Sequence, residues 1–116
     1  MTENGNVRVD RRDGLAVIYT GGNIDNQAGE EIRKAAYGLL EGGYRVLLLN
    51  LAGTKVVDSG GISILVEIIE KMVEIDAKSG FCSLNPTLQK TFQIICLGQY
   101  AGLYTDEATA LAQIRS

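Results

Sequence analysis

Apolar residues recur along the chain with two different spacings, and each spacing predicts a different kind of element. Short apolar runs at residues 15–19, 45–51 and 81–84 have the length and composition of β-strands. The run at 45–51, RVLLLNL, is almost uninterrupted and predicts a strand buried on both faces, as in the centre of a parallel sheet. Shorter patterns at residues 7–9 and 103–104 predict two further strands, the first of them edge-like.

Between these runs, apolar residues return every three or four positions, which predicts helices with one buried side. Capping residues, proline and glycine mark the helix ends. The four predicted helices run from Asp25 or Asn26 to Gly42-Gly43, from Gly60 to about Lys78 before Ser79-Gly80, from Asn85-Pro86 towards Gly98 and Gly102, and onward from Thr105 or Asp106. The predicted buried stripe of the second helix consists of Ile62, Leu65, Val66, Ile69, Met72 and Val73.

The order of these elements is β-β-α-β-α-β-α-(β)-α, in which strands and helices alternate. Alternation of this kind requires crossover connections, so it predicts a mostly parallel sheet covered by helices. We therefore expect an α/β fold, with a four- to five-stranded sheet and about four helices. One domain is expected to span residues 1–116, with residues 1–5 as a loose N-terminus.

Composition narrows the classes of function. The chain of 116 residues has a net charge of −3 and no long cluster of lysine and arginine, which argues against nucleic acid as a partner. The polar N-terminus does not resemble a signal peptide, and apolar runs are too short to span a bilayer. We expect a cytoplasmic protein without a membrane partner.

The sequence contains no histidine, and its two cysteines, Cys82 and Cys96, both lie in apolar contexts. A zinc site or a disulfide framework needs more ligands than these. The pattern predicts two reduced and mostly buried thiols, and it predicts neither a metal site nor a cofactor.

The segment KVVDSGGISIL, residues 55–65, places a polar and flexible turn between the central strand and the longest helix. Sites in open α/β sheets tend to form at this carboxyl edge of the strands. Asp58 or Ser59 can accept a hydrogen bond from a free amide at the helix start. The simplest interpretation of the turn is therefore a helix cap.

Several chemistries can be compared at this turn. It lacks the Gly-Lys pair of a phosphate-binding loop, and without histidine the usual serine hydrolase triad is impossible. Pairing of Ser59 with Lys55, and of the carboxylates Asp25 and Asp58, stays open, although isolated acids in loops are more often caps. Phosphorylation of Ser59 by another protein fits best: the helix start favours a phosphate, which would add about −1.5 to −2 charges beside Asp58.

Five sequence features in order along the chain resemble the STAS domain family, of the single-domain anti-sigma factor antagonist type. Residues 22–25, GNID, resemble that family's G-E-[IL]-D, and residues 46–51, VLLLNL, resemble its V-x-L-D-L strand. Residues 56–62, VVDSGGI, resemble its D-S-[ST]-G motif with flanking apolar residues. Asn85-Pro86 and Leu97-Gly98 also fall where the family often has such residues, so that the resemblance runs from about Val7 to Ile114.

The resemblance implies a bacterial partner-switching protein that is not itself an enzyme. Such proteins bind an anti-sigma factor that is a serine kinase with a GHKL-type ATP site, are released when it phosphorylates them, and are reset by a PP2C-type phosphatase. The implied phosphorylation site is Ser59. The implied partner-binding residues are Asp25, Asp58, Ser59, Gly60, Gly61 and Ser63.

The chain departs from the family pattern at three positions. Gly60 replaces the motif's second hydroxyl residue, Asn23 replaces an acid, and Ser63 replaces a common glycine. Two other classes of function stay open: a module that binds a small ligand such as a nucleotide, to which some STAS domains have been linked, and a structural subunit of a signalling assembly.

Overall fold

The computed structural model describes residues 7–95 and 99–115. In this part of the chain, strands and helices follow the predicted order. The strands are β1 (Val7–Arg11), β2 (Leu15–Gly21), β3 (Val46–Gly53), β4 (Lys78–Cys82) and β5 (Gly102–Tyr104). The helices are α1 (Asn26–Glu41), α2 (Ser59–Glu74), α3 (Pro86–Ile94) and α4 (Glu107–Gln113).

The five strands form one sheet in the order β1-β2-β3-β4-β5. The β1 strand is antiparallel to β2, whereas the other neighbouring strands are parallel, as the alternating elements predict. Leu49 in β3 lies between Ile18 of β2 and Phe81 of β4, and all three side chains are fully buried. The α/β fold and the central position of the 45–51 run are thus confirmed.

Alternate residues of the strands face two separate apolar clusters. Leu47 and Leu49 belong to the larger cluster, together with the buried sides of α1, α2 and α3. Leu48 belongs to the smaller cluster, in which Ala110 and Ile114 supply the contribution of α4 and its C-cap. Three helices therefore cover one face of the sheet and the short α4 covers the other. None of the described helices is both long and apolar enough to cross a membrane.

The second helix is shorter than predicted. It ends at Glu74 instead of about Lys78, because Asp76 adopts a left-handed conformation with a φ of 59°. The Ala77 amide then donates to the carbonyl of Met72 at 2.7 Å, which closes the helix end. Ser79-Gly80, predicted to end the helix, lies inside β4, which begins at Lys78. Gly80 leaves room there for the Tyr104 ring, which would lie 2.9 Å from a Cβ.

The buried side of α2 differs in part from the predicted stripe. Val73 of α2 is 50% exposed, whereas Ile64 and Ile68, which the prediction left out, are buried. Because α2 packs against both α1 and the sheet, its buried surface also includes Ile64 and Ile68. In α4 and its C-cap, Ala110 and Ile114 are buried. The predictions for Cys96 and Leu97-Gly98 fall outside the described residues.

Candidate functional site

The turn between β3 and α2 presents a serine hydroxyl at the carboxyl edge of the sheet. Asp58 is the N-cap of α2, and its carboxylate accepts a hydrogen bond from the Gly61 amide at 2.9 Å. Ser59 is the first residue of the helix, and its side chain is exposed. Of the two predicted capping residues, Asp58 is therefore the cap, which leaves the hydroxyl of Ser59 available to solvent.

The turn between β2 and α1 lies directly beside it. Asp25 caps α1 by accepting a hydrogen bond from the Ala28 amide at 2.9 Å. The Ile24 amide donates to the Val56 carbonyl at 2.9 Å, and the Asp58 amide donates to the Ile24 carbonyl at 3.0 Å. Asp25 and Asp58, 33 positions apart in sequence, thus each follow one partner of a parallel bridge between Ile24 and Val57.

Two glycines allow α2 to start this close to the neighbouring turn. A Cβ on Gly61 would lie 2.9 Å from Cγ2 of Ile24 and closer still to the Ile24 carbonyl oxygen. A Cβ on Gly60 would lie 3.2 Å from the Cβ of Asn26, which is tight but less severe. Glycine is therefore required at position 61 by close backbone contact and is only favoured by space at position 60.

The residues predicted to bind a partner differ in their exposure to solvent. Asp25, Asp58, Ser59 and Ser63 are exposed, and Gly60 is partly buried. Ser59 and Ser63 are four positions apart in α2, so their side chains lie on the same side of the helix. Gly61 is buried, and it contributes to the site by permitting the close approach rather than by offering surface to a partner.

Further residues that were not predicted from the sequence also form part of the candidate site. Val56 stands next to the turn and is 52% exposed. The buried hydroxyls of Thr20 and Thr54 form a hydrogen bond of 2.7 Å that joins the two turns at their base. The side-chain amide of Asn85 donates to the carbonyl of Lys55 at 3.1 Å. These contacts join residues 30 or 34 positions apart, and a single sequence carries no signal for such pairs.

The arrangement favours capping over acid–base chemistry. The carboxylates of Asp25 and Asp58 each accept a backbone amide at a helix start, which is the role that isolated acids in turns usually have. Within the described residues, no group of three or more histidine, cysteine, aspartate or glutamate side chains could hold a metal ion.

Cys82 lies in the apolar core and not in the two turns that form the candidate site. Its side chain is fully buried in the smaller apolar cluster, as predicted. Burial raises the pKa of the Cys82 thiol to about 11, because a thiolate would be poorly solvated there. The thiol is therefore protonated near neutral pH and is a packing residue rather than a nucleophile.

Comparison with known proteins identifies the family. Residues 6–110 match the family model for the STAS domain. The chain is 32% identical over 95 residues to the anti-sigma F factor antagonist of Lysinibacillus sphaericus, and the match covers 78% of this chain and 79% of that protein. The chain therefore belongs to the STAS domain family. Within the family it is similar to the single-domain anti-sigma factor antagonists, as the sequence motifs predict.

Solved structures of low sequence identity share the fold. An anti-sigma factor antagonist from Mycobacterium paratuberculosis superimposes with a TM-score of 0.82 at 22% identity, over 95% of this chain and 93% of that one. The Bacillus cell fate determinant SpoIIAA in its phosphorylated form superimposes with a TM-score of 0.75 at 21% identity, over 94% of this chain and 99% of that one. These likenesses agree with the five-stranded, mostly parallel sheet and its four helices.

Proposed function

We propose that this protein is an anti-sigma factor antagonist that acts by partner switching and has no catalytic activity of its own. In its unphosphorylated form it binds an anti-sigma factor that is a serine kinase with a GHKL-type ATP site. The kinase transfers the γ-phosphoryl group of ATP to the Ser59 hydroxyl, and the phosphorylated protein is released. A PP2C-type phosphatase hydrolyses the phosphate and restores the binding form.

The position of Ser59 gives this proposal its main support. Its hydroxyl is exposed at the first position of a sixteen-residue helix, where a kinase can reach it. A phosphate at this position is favoured by the positive end of the helix dipole and by the amides of the first turn, which have no partner within the helix. The hydroxyl is thus both accessible to a kinase and placed where its phosphorylated form is electrostatically tolerated.

Charge then provides the switch. The exposed carboxylates of Asp25 and Asp58 already make the surface around Ser59 acidic. A phosphate adds about −1.5 to −2 charges to that surface. A partner that places its own acidic groups or its bound nucleotide phosphates opposite Ser59 is repelled by this change. Release therefore needs no conformational change in the antagonist.

The rigidity of the turn supports a switch by charge rather than by refolding. Backbone hydrogen bonds on either side of Val57 hold the turn against Ile24, and the Asp58 carboxylate holds the start of α2. Ser59 is thus attached to a backbone that is bonded at several points. Phosphorylation at this position alters the surface without breaking any of these bonds.

Two similar proteins support the same function. The Lysinibacillus protein of 32% identity is an anti-sigma F factor antagonist. A Bacillus protein of the same fold exists in a phosphorylated form. Both facts concern other proteins, and they make an anti-sigma factor the first partner to test for this chain.

The proposal is tested by incubating the purified protein with the anti-sigma factor kinase of its own cell and ATP. Intact-mass and peptide mass spectrometry then locate the phosphate. We expect one phosphate on Ser59 and none in Ser59→Ala, whereas Ser63→Ala, which keeps the Ser59 hydroxyl, should still carry its phosphate on Ser59. A phosphate on Ser63 instead, or binding to the kinase that is unaffected by ATP, would refute the proposed switch.

A further inference from the structure

The segment that leads to Ser59 extends beyond the part of β3 that is paired with β4. The ladder that pairs β3 with β4 ends at Asn50 and Cys82, while the chain continues through residues 54–58 before α2 begins. In an extended segment, successive carbonyl groups point to opposite sides. The carbonyl of Val56 points towards the β2 side, where it accepts the Ile24 amide at 2.9 Å. The carbonyl of Lys55 therefore points towards the β4 side.

On that second side, a side chain takes the place of a neighbouring strand. The side-chain amide nitrogen of Asn85 donates to the Lys55 carbonyl at 3.1 Å. The oxygen of the same amide accepts the backbone amide of Leu88 at 2.8 Å, which caps α3. Because only the nitrogen can donate and only the oxygen can accept, these two contacts fix the orientation of the amide group.

We infer that Asn85 is a positioning residue for the turn that carries Ser59. Through one planar group it connects the start of α3 to the segment that precedes α2. Ile24 holds this segment from one side, and Asn85 holds it from the other. The part of this inference that concerns binding and phosphorylation rests on the proposed function, whereas the part that concerns the turn itself does not.

The two roles of Asn85 can be separated chemically. Asn85→Asp keeps an oxygen that accepts the Leu88 amide, and aspartate is as good an N-cap as asparagine. The same change replaces the donor that faces Lys55 with a second oxygen, which repels the carbonyl instead of bonding to it. Asn85→Ser also keeps a capping oxygen, but its side chain is too short to reach Lys55 as well. Both variants retain the cap and lose the bridge.

The first test needs no partner and uses hydrogen exchange of the Asp58 amide, which is bonded to Ile24. In both variants we expect this amide to exchange about 2- to 10-fold faster than in the wild type, as loss of one hydrogen bond implies. The Leu88 amide should exchange at its wild-type rate, because the cap remains. Asp106→Asn, which changes a cap on α4, is the matched control and should leave the Asp58 amide unaffected. An unchanged Asp58 rate in both variants would overturn the inference.

The second test measures phosphorylation of Ser59 in the same variants. We expect kcat/KM for the kinase reaction to fall by a similar factor, about 2- to 10-fold. Wild-type kcat/KM together with faster exchange at Asp58 would overturn the role of Asn85 in presenting Ser59. If the wild-type protein is not phosphorylated, the proposed function fails, while the exchange experiment still decides whether Asn85 holds the turn. The two failures are therefore distinguishable.

Discussion

The carbonyl of Ile24 lies against the backbone of Gly61 so closely that no side chain fits at position 61. A Cβ there would also lie 2.9 Å from Cγ2 of Ile24. This contact joins the first turn of α2 to the turn that precedes α1. It is the reason why the two capping carboxylates, Asp25 and Asp58, lie on one surface.

Gly61→Ala is expected to lower the free energy of unfolding by about 2–3 kcal/mol, because backbone has to move to admit one methyl group. Urea denaturation measures this change. Gly38→Ala is the matched control, since nothing lies within 4 Å of a Cβ at this exposed position of α1. It should raise the free energy of unfolding by about 0.5–1 kcal/mol through helix propensity. Equal stability of the two alanine variants would contradict the close contact at position 61.

Asp58 is expected to stabilise the start of α2 independently of any partner. Asp58→Ala removes the acceptor of the Gly61 amide and should lower the free energy of unfolding by about 1 kcal/mol. Asp58→Asn keeps an acceptor oxygen and should remain within a few tenths of a kcal/mol of the wild type. Thermal and urea denaturation of the two variants distinguish a cap from a surface charge. If asparagine destabilised the protein as much as alanine does, the carboxylate would matter for its charge and not for capping.

Substitutions of Thr20 and Thr54 should be strongly coupled in their effects on the free energy of unfolding. Both side chains are buried, and they form one hydrogen bond of 2.7 Å. Thr54→Val leaves the Thr20 hydroxyl buried without its partner, so we expect a loss of about 1–3 kcal/mol in the free energy of unfolding. The double variant Thr20→Val/Thr54→Val should lose less than the sum of the single variants, since no hydroxyl is then left unpaired. Additive losses in the double-mutant cycle would show that the two hydroxyls are satisfied separately.

Much of this fold could be predicted because local signals and tertiary packing agree. The apolar run around Leu48 is buried on both sides of the sheet, and Asn85-Pro86 begins a helix as its residue types predict. The end of α2 could not be placed, because nothing in the sequence distinguishes a left-handed Asp76 from one more helical residue. The prediction that Gly80 ends the helix was wrong, because glycine also occurs where a ring such as that of Tyr104 packs closely on a strand.

The geometry of the candidate site could be predicted where it depends on one turn, and could not be predicted where several turns come together. Asp58 and Ser59 stand out because they separate a strand from a helix. The neighbours of that turn come from distant parts of the chain, and no local pattern marks Thr20, Val56 or Asn85 as members of the site. Contacts of this kind depend on strand order and register, which require the complete fold.

Substitutions of Ser59 should separate binding from switching. Ser59→Ala is expected to bind the anti-sigma factor like the wild type, because the hydroxyl contributes little surface. Ser59→Asp adds one negative charge beside Asp58 and should weaken binding about 5- to 20-fold, roughly 1–2 kcal/mol. Isothermal titration calorimetry measures both affinities, and Gly38→Asp adds the same charge at an exposed position near the other end of α1 as a control. Equal affinities of Ser59→Asp and the wild type would refute a switch that acts through charge.

Cys82 should make the stability of the protein fall at alkaline pH. Its pKa is raised to about 11 by burial in the folded state, whereas an exposed thiol in the unfolded chain has a pKa of about 8.5–9. Above pH 9 the unfolded state releases the proton more readily, so the unfolded state is favoured as pH rises. The thiol therefore contributes its stabilisation fully below about pH 8 and loses it between pH 9 and pH 11.

The measurement is urea denaturation at pH 8 and pH 10 for the protein and for Cys82→Ala, both carrying Cys96→Ser so that one thiol is compared. From pH 8 to pH 10 we expect the cysteine protein to lose about 1.5 kcal/mol more than the alanine variant does. Burial also raises the pKa values of Tyr19 and Tyr37, but both proteins contain these side chains and the comparison removes their contribution. An equal loss in the two proteins would mean that water reaches Cys82 in the folded state, and that α4 does not seal this face of the sheet.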